Sequence, residues 1–160
     1  MASVLIGLGG NQLRETPLPL LYETKQARLE REVQRIGAGQ RAVGGAEAPA
    51  SGPQVLTLEE FEAIRAGALI LDARPEIFYR IGHVPGALSL PRKDFETAYA
   101  ALGARLAEGR PLVVYCAGET CEDAELVRTA LARLGHAQVQ VFQGGWEEWQ
   151  AAGRAEEKAP

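Results

Sequence analysis

The sequence predicts an α/β fold with a parallel sheet, and two patterns support this prediction. Short apolar runs with the length of buried strands alternate with segments whose apolar residues recur at helical spacing. Glycine and proline punctuate the junctions between these segments. Because strands that alternate with helices in this way form parallel sheets with right-handed crossovers, we expect an open parallel sheet whose strands are connected by helices.

Five segments have the composition of strands. They are residues 54–56, 68–71, 87–90, 112–115 and 138–142. The second is expected to end in Asp72. The fourth is entirely apolar and lies between a proline and a glycine-bearing loop, which is typical of a strand that is buried on both faces.

Helices are expected between and after these strands. Thr57 and Glu60 have the spacing of a capping box, so they begin a helix that we expect Gly67 to close. The other helices are marked by apolar residues at helical spacing: Phe95, Tyr99, Leu102 and Leu106; then Ala124, Val127, Leu131 and Leu134; then Trp146 and Trp149. The segment 75–86 is rich in proline and glycine and is expected to be a loop.

The chain divides into parts of different composition. With 160 residues and 46% hydrophobic content, one domain with a real core is expected. Residues 1–36 are predicted to be an apolar stub followed by a helical arm, and residues 37–53 a flexible linker rich in Gly, Ala and Pro. Residues 54–154 form the predicted domain and residues 155–160 a tail. The arm helix, over residues 21–36, has a thin apolar stripe, so we expect a solvated or self-associating helix rather than part of the core.

Charge and cysteine content narrow the classes of function. The net charge of −4 and the pI near 5.3 provide no basic surface for nucleic acid, so no nucleic-acid partner is expected. Two cysteines close together in one loop are typical of a reactive thiol in a reducing compartment, which favours a cytoplasmic protein. The apolar run at residues 4–10 is too short to span a membrane. The alternative location is a membrane tether through an N-terminal segment.

Cys116 has the most informative position in the chain. It lies where the buried strand 112–115 ends and before the next helix begins, which is the edge of a parallel sheet where ligands collect. Backbone amides of the loop and of the helix start favour an anion there and would lower the pKa of the thiol. Cys116 is therefore a candidate nucleophile.

Two groups of motifs carry a family resemblance. The stretch Leu69-Ile70-Leu71-Asp72-Ala73-Arg74-Pro75-Glu76, followed by Gly82-His83-Val84-Pro85-Gly86-Ala87, is similar to the first signature of the rhodanese-like (sulfurtransferase) domain family. The strand with Tyr115-Cys116, followed by Phe142-Gln143-Gly144-Gly145-Trp146-Glu147-Glu148-Trp149, is similar to the second. The resemblance extends from residue 55 to about residue 153. It implies a central parallel sheet of about five strands with helices on both faces.

The resemblance also implies a chemistry. A single-domain sulfurtransferase would carry sulfane sulfur as a persulfide on Cys116 and pass it to a thiol or another nucleophile, without a cofactor. The loop residues after Cys116 would supply the amides that bind substrate and persulfide: Ala117, Gly118, Glu119, Thr120 and Cys121. Asp72 and Arg74 are expected to brace the loop from below. The partners are a small-molecule or protein-bound sulfur donor and a thiol acceptor.

The loop departs from the family in its charge. Glu119, Glu122, Asp123 and Glu125 follow the cysteine, and the first basic residue after it along the chain is Arg128. Acidic groups repel anionic donors and raise the pKa of a nearby thiol. We therefore doubt thiosulfate as a donor and favour a protein persulfide, a polysulfide or a thiol-bound sulfane sulfur. The acids at 122 and 123 are equally explained as complements to a helix dipole.

Cys121 has three possible roles. It is a resolving thiol that closes a disulfide with Cys116, a helix-start residue without chemistry, or half of a zinc site completed by His83 and His136. The zinc site is the weakest of the three, because the spacing is wrong, and no metal is expected. His83 belongs to a turn motif and is expected to be structural rather than a general base.

Three functions follow from these residues. The first is the sulfurtransferase, with Cys116 as the persulfide carrier. The second is a non-catalytic interaction or regulatory module whose acidic loop docks a partner with help from the helix at residues 21–36. The third is a thiol–disulfide redox protein that uses Cys116 and Cys121.

Overall fold

The computed structural model describes residues 23–39 and 55–160. The strands are β1 Val55–Leu56, β2 Leu69–Asp72, β3 Leu88–Ser89, β4 Leu112–Tyr115 and β5 Val139–Phe142. The helices are α1 Lys25–Gly39, α2 Leu58–Ile64, α3 Glu76–Ile81, α4 Phe95–Ala101, α5 Gly103–Leu106, α6 Asp123–Arg133 and α7 Gly145–Ala151. A 3₁₀ turn at Arg92–Asp94 leads into α4.

The five strands form one sheet in the order β1-β5-β4-β2-β3, and each neighbouring pair is parallel. The predicted parallel α/β fold is therefore confirmed. β4 is the central strand, paired with β5 on one side and β2 on the other. Because parallel strands all end at the same edge, this order places the residue after β4 in the middle of the carboxyl edge of the sheet.

The sheet has a hydrophobic core on each face. Along β4, Leu112 and Val114 belong to one core, and Val113 and Tyr115 belong to the other, as the two-residue period of a strand requires. The first core is completed by side chains of α1, α4, α5 and α6, and the second by side chains of α2 and α7. The prediction of helices on both faces is therefore confirmed.

The capping box at the start of α2 is confirmed. The amide of Glu60 donates to Oγ1 of Thr57 at 3.3 Å, and the amide of Thr57 donates to Oε2 of Glu60 at 2.9 Å. The helix ends at Ile64, earlier than the predicted close at Gly67, and a turn connects it to β2.

Two local predictions are wrong. The segment 75–86, expected to be a loop, contains the helix α3, whose apolar residues Ile77, Phe78 and Ile81 are exposed. A short helix that buries no stripe has no periodic signature to detect. The apolar pattern of residues 95–106 predicted one helix, but α4 and α5 are separate, with Leu102 between them.

The helical arm packs against the domain rather than standing free in solvent. Leu29 and Val33 are 4% and 8% exposed and lie in the same core as residues of α6. Oε2 of Glu32 accepts a hydrogen bond of 3.3 Å from the amide of Glu96 at the start of α4. The expectation that this stripe is not part of the core is therefore wrong. Self-association through residues 21–36 is a separate matter and stays a prediction.

The predicted linker and N-terminal stub lie mostly outside the described residues. α1 continues through residues 37–39, which belong to the predicted linker, while residues 1–22 and 40–54 are not described. The tail returns to the domain, since the amide of His83 donates to the carbonyl of Glu157 at 2.8 Å. Within residues 23–39 and 55–160, every helix is too short or too polar to traverse a lipid bilayer.

Candidate functional site

Cys116 follows the last residue of β4 and is 4% exposed. The start of α7 holds the backbone around it: the amide of Trp146 donates to the Cys116 carbonyl at 2.9 Å, and the amide of Glu147 donates to the Ala117 carbonyl at 2.8 Å. Amides in the first turn of a helix have no partner within the helix, so they are free to make these bonds. The beginning of the cysteine loop is thus fixed by two hydrogen bonds from α7.

Gly145 makes this close approach possible. Its φ is +58°, and a Cβ at this position would lie 2.4 Å from the Cys116 carbonyl oxygen and 3.1 Å from backbone atoms of Ala117. Only glycine fits both the left-handed conformation and the contact. The sequence analysis includes Gly144 and Gly145 in a family motif, but the sequence contains no signal that one of them touches the cysteine loop.

Cys116 and Cys121 form a disulfide in this structure. They are five residues apart, and their Cα atoms are 6.1 Å apart. The loop between them closes by a turn in which the amide of Cys121 donates to the carbonyl of Gly118 at 2.9 Å. Cys121 is partly buried. The loop therefore brings the two thiol positions into direct contact.

Two cavities open beside the cysteine pair, and both are lined by Cys116 and Cys121. The α1-side cavity has a volume of about 480 Å³, and its lining includes Gln26, Glu119, Glu122 and Glu125. The α3-side cavity has a volume of about 430 Å³, and its lining includes Arg74, Phe78, Ile81 and Trp146. The lining of the second cavity also contains three acidic residues, Asp123, Glu147 and Glu156, as many as the first. The two cavities therefore differ in the aromatic and aliphatic walls and the arginine of the second, not in the number of acidic residues.

Asp72 and Arg74 form a buried ion pair at the end of β2. Asp72 is 0% exposed and Arg74 is 4% exposed. Nη2 of Arg74 lies 2.6 Å from Oδ2 of Asp72 and donates to the Gly82 carbonyl at 2.7 Å. The guanidinium also lies 4.6 Å from the centre of the Trp146 ring. The pair therefore ties together β2, the segment after α3 and the helix α7.

The strand that carries Cys116 joins this network through Tyr115. Its hydroxyl donates to Oδ2 of Asp72 at 2.6 Å and accepts a bond of 3.2 Å from the amide of Val84. Burial, together with the negative charge of Asp72, raises the pKa of Tyr115 well above its ordinary value. Tyr115 therefore stays protonated to a higher pH than an exposed tyrosine and remains a hydrogen-bond donor to Asp72.

Cations from distant parts of the chain offset part of the acidity that the sequence predicted around the cysteine. Oδ1 of Asp123 lies 2.8 Å from Nε of Arg92 and 3.5 Å from Nζ of Lys25. Glu125 is paired with Arg128. Arg92 and Lys25 are 31 and 98 residues from Asp123, so no local spacing could have identified them. Glu119 and Glu122 are exposed.

The structure does not assemble the zinc site that was considered. Among the described residues, the potential ligand atoms near the cysteines include a carboxylate of Asp123 but neither histidine. Nδ1 of His83 lies 2.8 Å from the Tyr79 carbonyl, and Nε2 of His136 lies 3.0 Å from the Tyr99 hydroxyl. His83 is buried and stacks on Tyr79. These contacts are those of structural histidines.

Two curated proteins are similar to part of this chain. An HTH-type transcriptional regulator of Mycobacterium tuberculosis is 36% identical over 118 residues, which are 70% of this chain and 48% of that protein. The 3-mercaptopyruvate sulfurtransferase of Escherichia coli is 30% identical over 99 residues, which are 56% of this chain and 34% of that protein. The chain thus spans about half of the first relative and about a third of the second.

Solved structures share the fold. A rhodanese-like domain from an Anabaena protein has a TM-score of 0.57 and 24% identity, covering 68% of this chain and 81% of that chain. A thiosulfate sulfurtransferase from Pseudomonas aeruginosa has a TM-score of 0.50 and 25% identity, covering 85% of this chain and 23% of that one. Residues 57–152, more than half of the sequence, match the family model described as a rhodanese-like domain. The chain therefore belongs to the rhodanese-like domain family.

Proposed function

We propose that this chain is a sulfurtransferase that carries sulfane sulfur as a persulfide on Cys116 and transfers it to a thiol or another nucleophile. The observation that carries the proposal is the position of Cys116 at the carboxyl end of the central strand, between two cavities that substrates could enter. Membership of a family that includes sulfurtransferases supports it.

The reaction has two balanced steps. The Cys116 thiolate attacks the outer sulfur of a donor, and the donor leaves as a thiolate or another anion. An acceptor thiolate then attacks the same sulfur, and the Cys116 thiolate leaves with the bonding electron pair. The disulfide with Cys121 must first be reduced, because only the thiolate is a nucleophile.

The loop would stabilise the charged forms of Cys116 through its backbone amides. The amide of Cys121 already donates to the Gly118 carbonyl, so this role falls to residues 117–120. The carbonyls of Cys116 and Ala117 are bonded to α7, which restrains the backbone where the loop begins. A restrained loop presents its amides without a cost in reorganisation.

The charge around the site favours donors other than thiosulfate. Glu119 and Glu122 are exposed at the rim of the α1-side cavity, where they repel a small dianion. The α3-side cavity is also lined by acidic residues, but its lining includes Phe78, Ile81 and Trp146, whose apolar side chains suit the organic part of a thiol-bound donor. A thiol-bound or protein-bound sulfane sulfur is therefore the donor class that we propose.

Two other functions have specific observations in their favour. The Cys116–Cys121 disulfide suits a thiol–disulfide redox protein. The relative at 36% identity is named a transcriptional regulator, which suits a regulatory module that binds a partner without catalysis. Each makes a different prediction for the two cysteines.

The intact mass of the reduced protein after incubation with thiosulfate, polysulfide or glutathione persulfide tests these functions. If the chain is a sulfurtransferase, Cys121→Ser, which cannot close the disulfide, gains a sulfur atom that cyanide or a reductant removes, and Cys116→Ser gains none. A redox protein without sulfur transfer forms only the disulfide after mild oxidation, and either serine substitution prevents it. If no donor loads sulfur on Cys121→Ser while its Cys116 is freely alkylated, the sulfurtransferase proposal is wrong.

A further inference from the structure

We infer that Cys121 attacks the Cys116 persulfide, so that the chain also releases the stored sulfur as hydrosulfide. This inference rests on the proposed function, because it requires a persulfide on Cys116. It adds a second activity, the reduction of sulfane sulfur, to the transfer of that sulfur. The residue that separates the two activities is Cys121.

The contact between the two cysteines carries the inference. Cys121 is bonded to Cys116 itself, with the Cα atoms 6.1 Å apart, a separation that is ordinary for a disulfide. The turn from the Cys121 amide to the Gly118 carbonyl holds the loop in this form. Cys121 therefore reaches Sγ of Cys116 while β4 and α6 keep their positions.

The step is balanced without an added oxidant. The Cys121 sulfur attacks Sγ of Cys116, a bond forms between them, and the bond from Sγ of Cys116 to the outer sulfur breaks. The outer sulfur leaves with the bonding electron pair and takes the Cys121 thiol proton, so the products are the disulfide and hydrosulfide. The outer sulfur is reduced and the Cys121 sulfur is oxidised. The disulfide of this structure is thus the product of the step.

Because Cys116 is buried, internal and external thiols attack different sulfur atoms of the persulfide. Sγ of Cys116 belongs to a residue that is 4% exposed, so an external thiol meets the outer sulfur before it meets Sγ. Cys121, in contrast, reaches Sγ of Cys116 directly, because the two sulfur atoms are in contact. An intramolecular thiol in place also reacts at a high effective concentration. External attack therefore transfers the sulfur, whereas internal attack releases it.

Two cations lie beside one of the acidic groups next to Cys121. Asp123, two residues away, would repel a thiolate at Cys121 if its charge were alone. Arg92 and Lys25 lie against that carboxylate at 2.8 Å and 3.5 Å. The cations offset its repulsion of a thiolate. After the release of hydrosulfide, an external thiol or dithiol must reduce the Cys116–Cys121 disulfide. The reaction that must follow this one is therefore reduction of a disulfide, the reaction class of a dithiol reductase.

The test is a single turnover under anaerobic conditions. The chain is reduced, freed of reductant and mixed with one equivalent of glutathione persulfide, which leaves glutathione rather than hydrosulfide when it donates its outer sulfur. Hydrosulfide is trapped with a bimane reagent, and the intact mass is measured without reduction. Wild type is expected to release one hydrosulfide per chain and to end as the disulfide, two hydrogens lighter than the reduced chain.

Three variants make the result specific. Cys121→Ser and Cys121→Ala are expected to accumulate the persulfide and to lose hydrosulfide release. Cys116→Ser is expected neither to accumulate a persulfide nor to release hydrosulfide. Ala132→Ser, on the exposed side of α6, is the control for handling and is expected to match wild type.

The outcomes separate this inference from the function on which it rests. If wild type keeps the added sulfur and releases no hydrosulfide, the inference is wrong while the sulfurtransferase stands. A sulfur that peptide mapping finds on Cys121 also overturns the inference, because Cys121 would then be a relay. If both Cys121 variants are folded and load no sulfur, the sulfurtransferase itself is wrong, and the inference is overturned with it.

Discussion

The hydroxyl of Tyr115 and the carboxylate of Asp72 are joined by a hydrogen bond of 2.6 Å at the centre of the carboxyl edge of the sheet. The two residues are register partners on β4 and β2, and both are fully buried. Asp72 also pairs with Arg74, and Cys116 directly follows Tyr115. The strand that carries the candidate nucleophile is therefore coupled to a buried charge pair.

Tyr115→Phe tests this coupling. The substitution removes a donor to Asp72 and leaves the amide of Val84 without its hydroxyl acceptor, and an unsatisfied buried group costs about 1–3 kcal/mol. We expect the free energy of unfolding in urea to fall by that amount. Tyr99→Phe is the control, because its hydroxyl binds the partly exposed His136 and is expected to contribute about 1 kcal/mol. Equal losses of unfolding free energy in the two variants would mean that the buried hydrogen bonds of Tyr115 stabilise the protein no more than the bond of Tyr99.

Substitutions of Arg74 and Arg128 compare how much a buried ion pair and an exposed ion pair contribute to the free energy of unfolding. Arg74→Ala leaves the Asp72 charge buried, which costs about 3–5 kcal/mol. Arg128→Ala breaks a pair with the exposed Glu125, which contributes about 0–1 kcal/mol. We expect unfolding free energies to differ accordingly. A small loss for Arg74→Ala would show that Asp72 gains another partner or becomes protonated.

Gly145→Ala tests the contact between α7 and the cysteine loop. The new Cβ would overlap the Cys116 carbonyl, so the loop must move, and the left-handed φ adds about 1–2 kcal/mol of strain. Gly109→Ala is the matched control, since its φ is +71° and its Cβ would meet no atom within 4 Å. We expect both variants to lose stability but only Gly145→Ala to lose sulfur loading, measured by intact mass with Cys121→Ser present in both variants. Equal loading in both variants would mean that the contact does not affect the site.

Leu29→Ala tests whether α1 is part of the domain. Leu29 is buried in the core that it shares with α6, and loss of a buried leucine side chain costs about 2–5 kcal/mol. We expect the single unfolding transition of the whole chain to move to lower urea. Ala27→Gly, at a helix position outside that core, is the control and is expected to cost about 1 kcal/mol. An early separate transition, with the main one unchanged, would show that α1 unfolds on its own.

His136 predicts how stability depends on pH. Burial lowers the pKa of its imidazole below the ordinary value of 6.5, so the native state binds the proton later than the unfolded state as pH falls. The stability that neutral His136 contributes is therefore fully present above its ordinary pKa of 6.5. It is lost as pH falls from that value through the lower pKa of the native state. We expect His136→Gln to show a shallower loss of stability between neutral and mildly acidic pH than wild type. Parallel curves in urea titrations at several pH values would contradict this.

The local predictions succeeded where neighbouring residues determine the structure. The all-apolar run before Cys116 predicted a buried strand, and Thr57 with Glu60 predicted a helix start. A strand period or a capping box involves residues only a few positions apart, so the sequence contains the whole signal. The motifs around Cys116 and after β5 likewise sufficed to identify the rhodanese-like family.

Local sequence patterns did not predict the contacts between residues that are far apart along the chain. The sequence alone determined the parallel α/β fold, the family and the place of Cys116 at the end of a strand. Only the tertiary structure decided that α1 packs on the core, that Arg92 and Lys25 lie against Asp123, and that Gly145 touches the Cys116 carbonyl. These contacts depend on how the crossovers place elements against one another, and that placement results from packing over the whole sheet rather than from any local spacing.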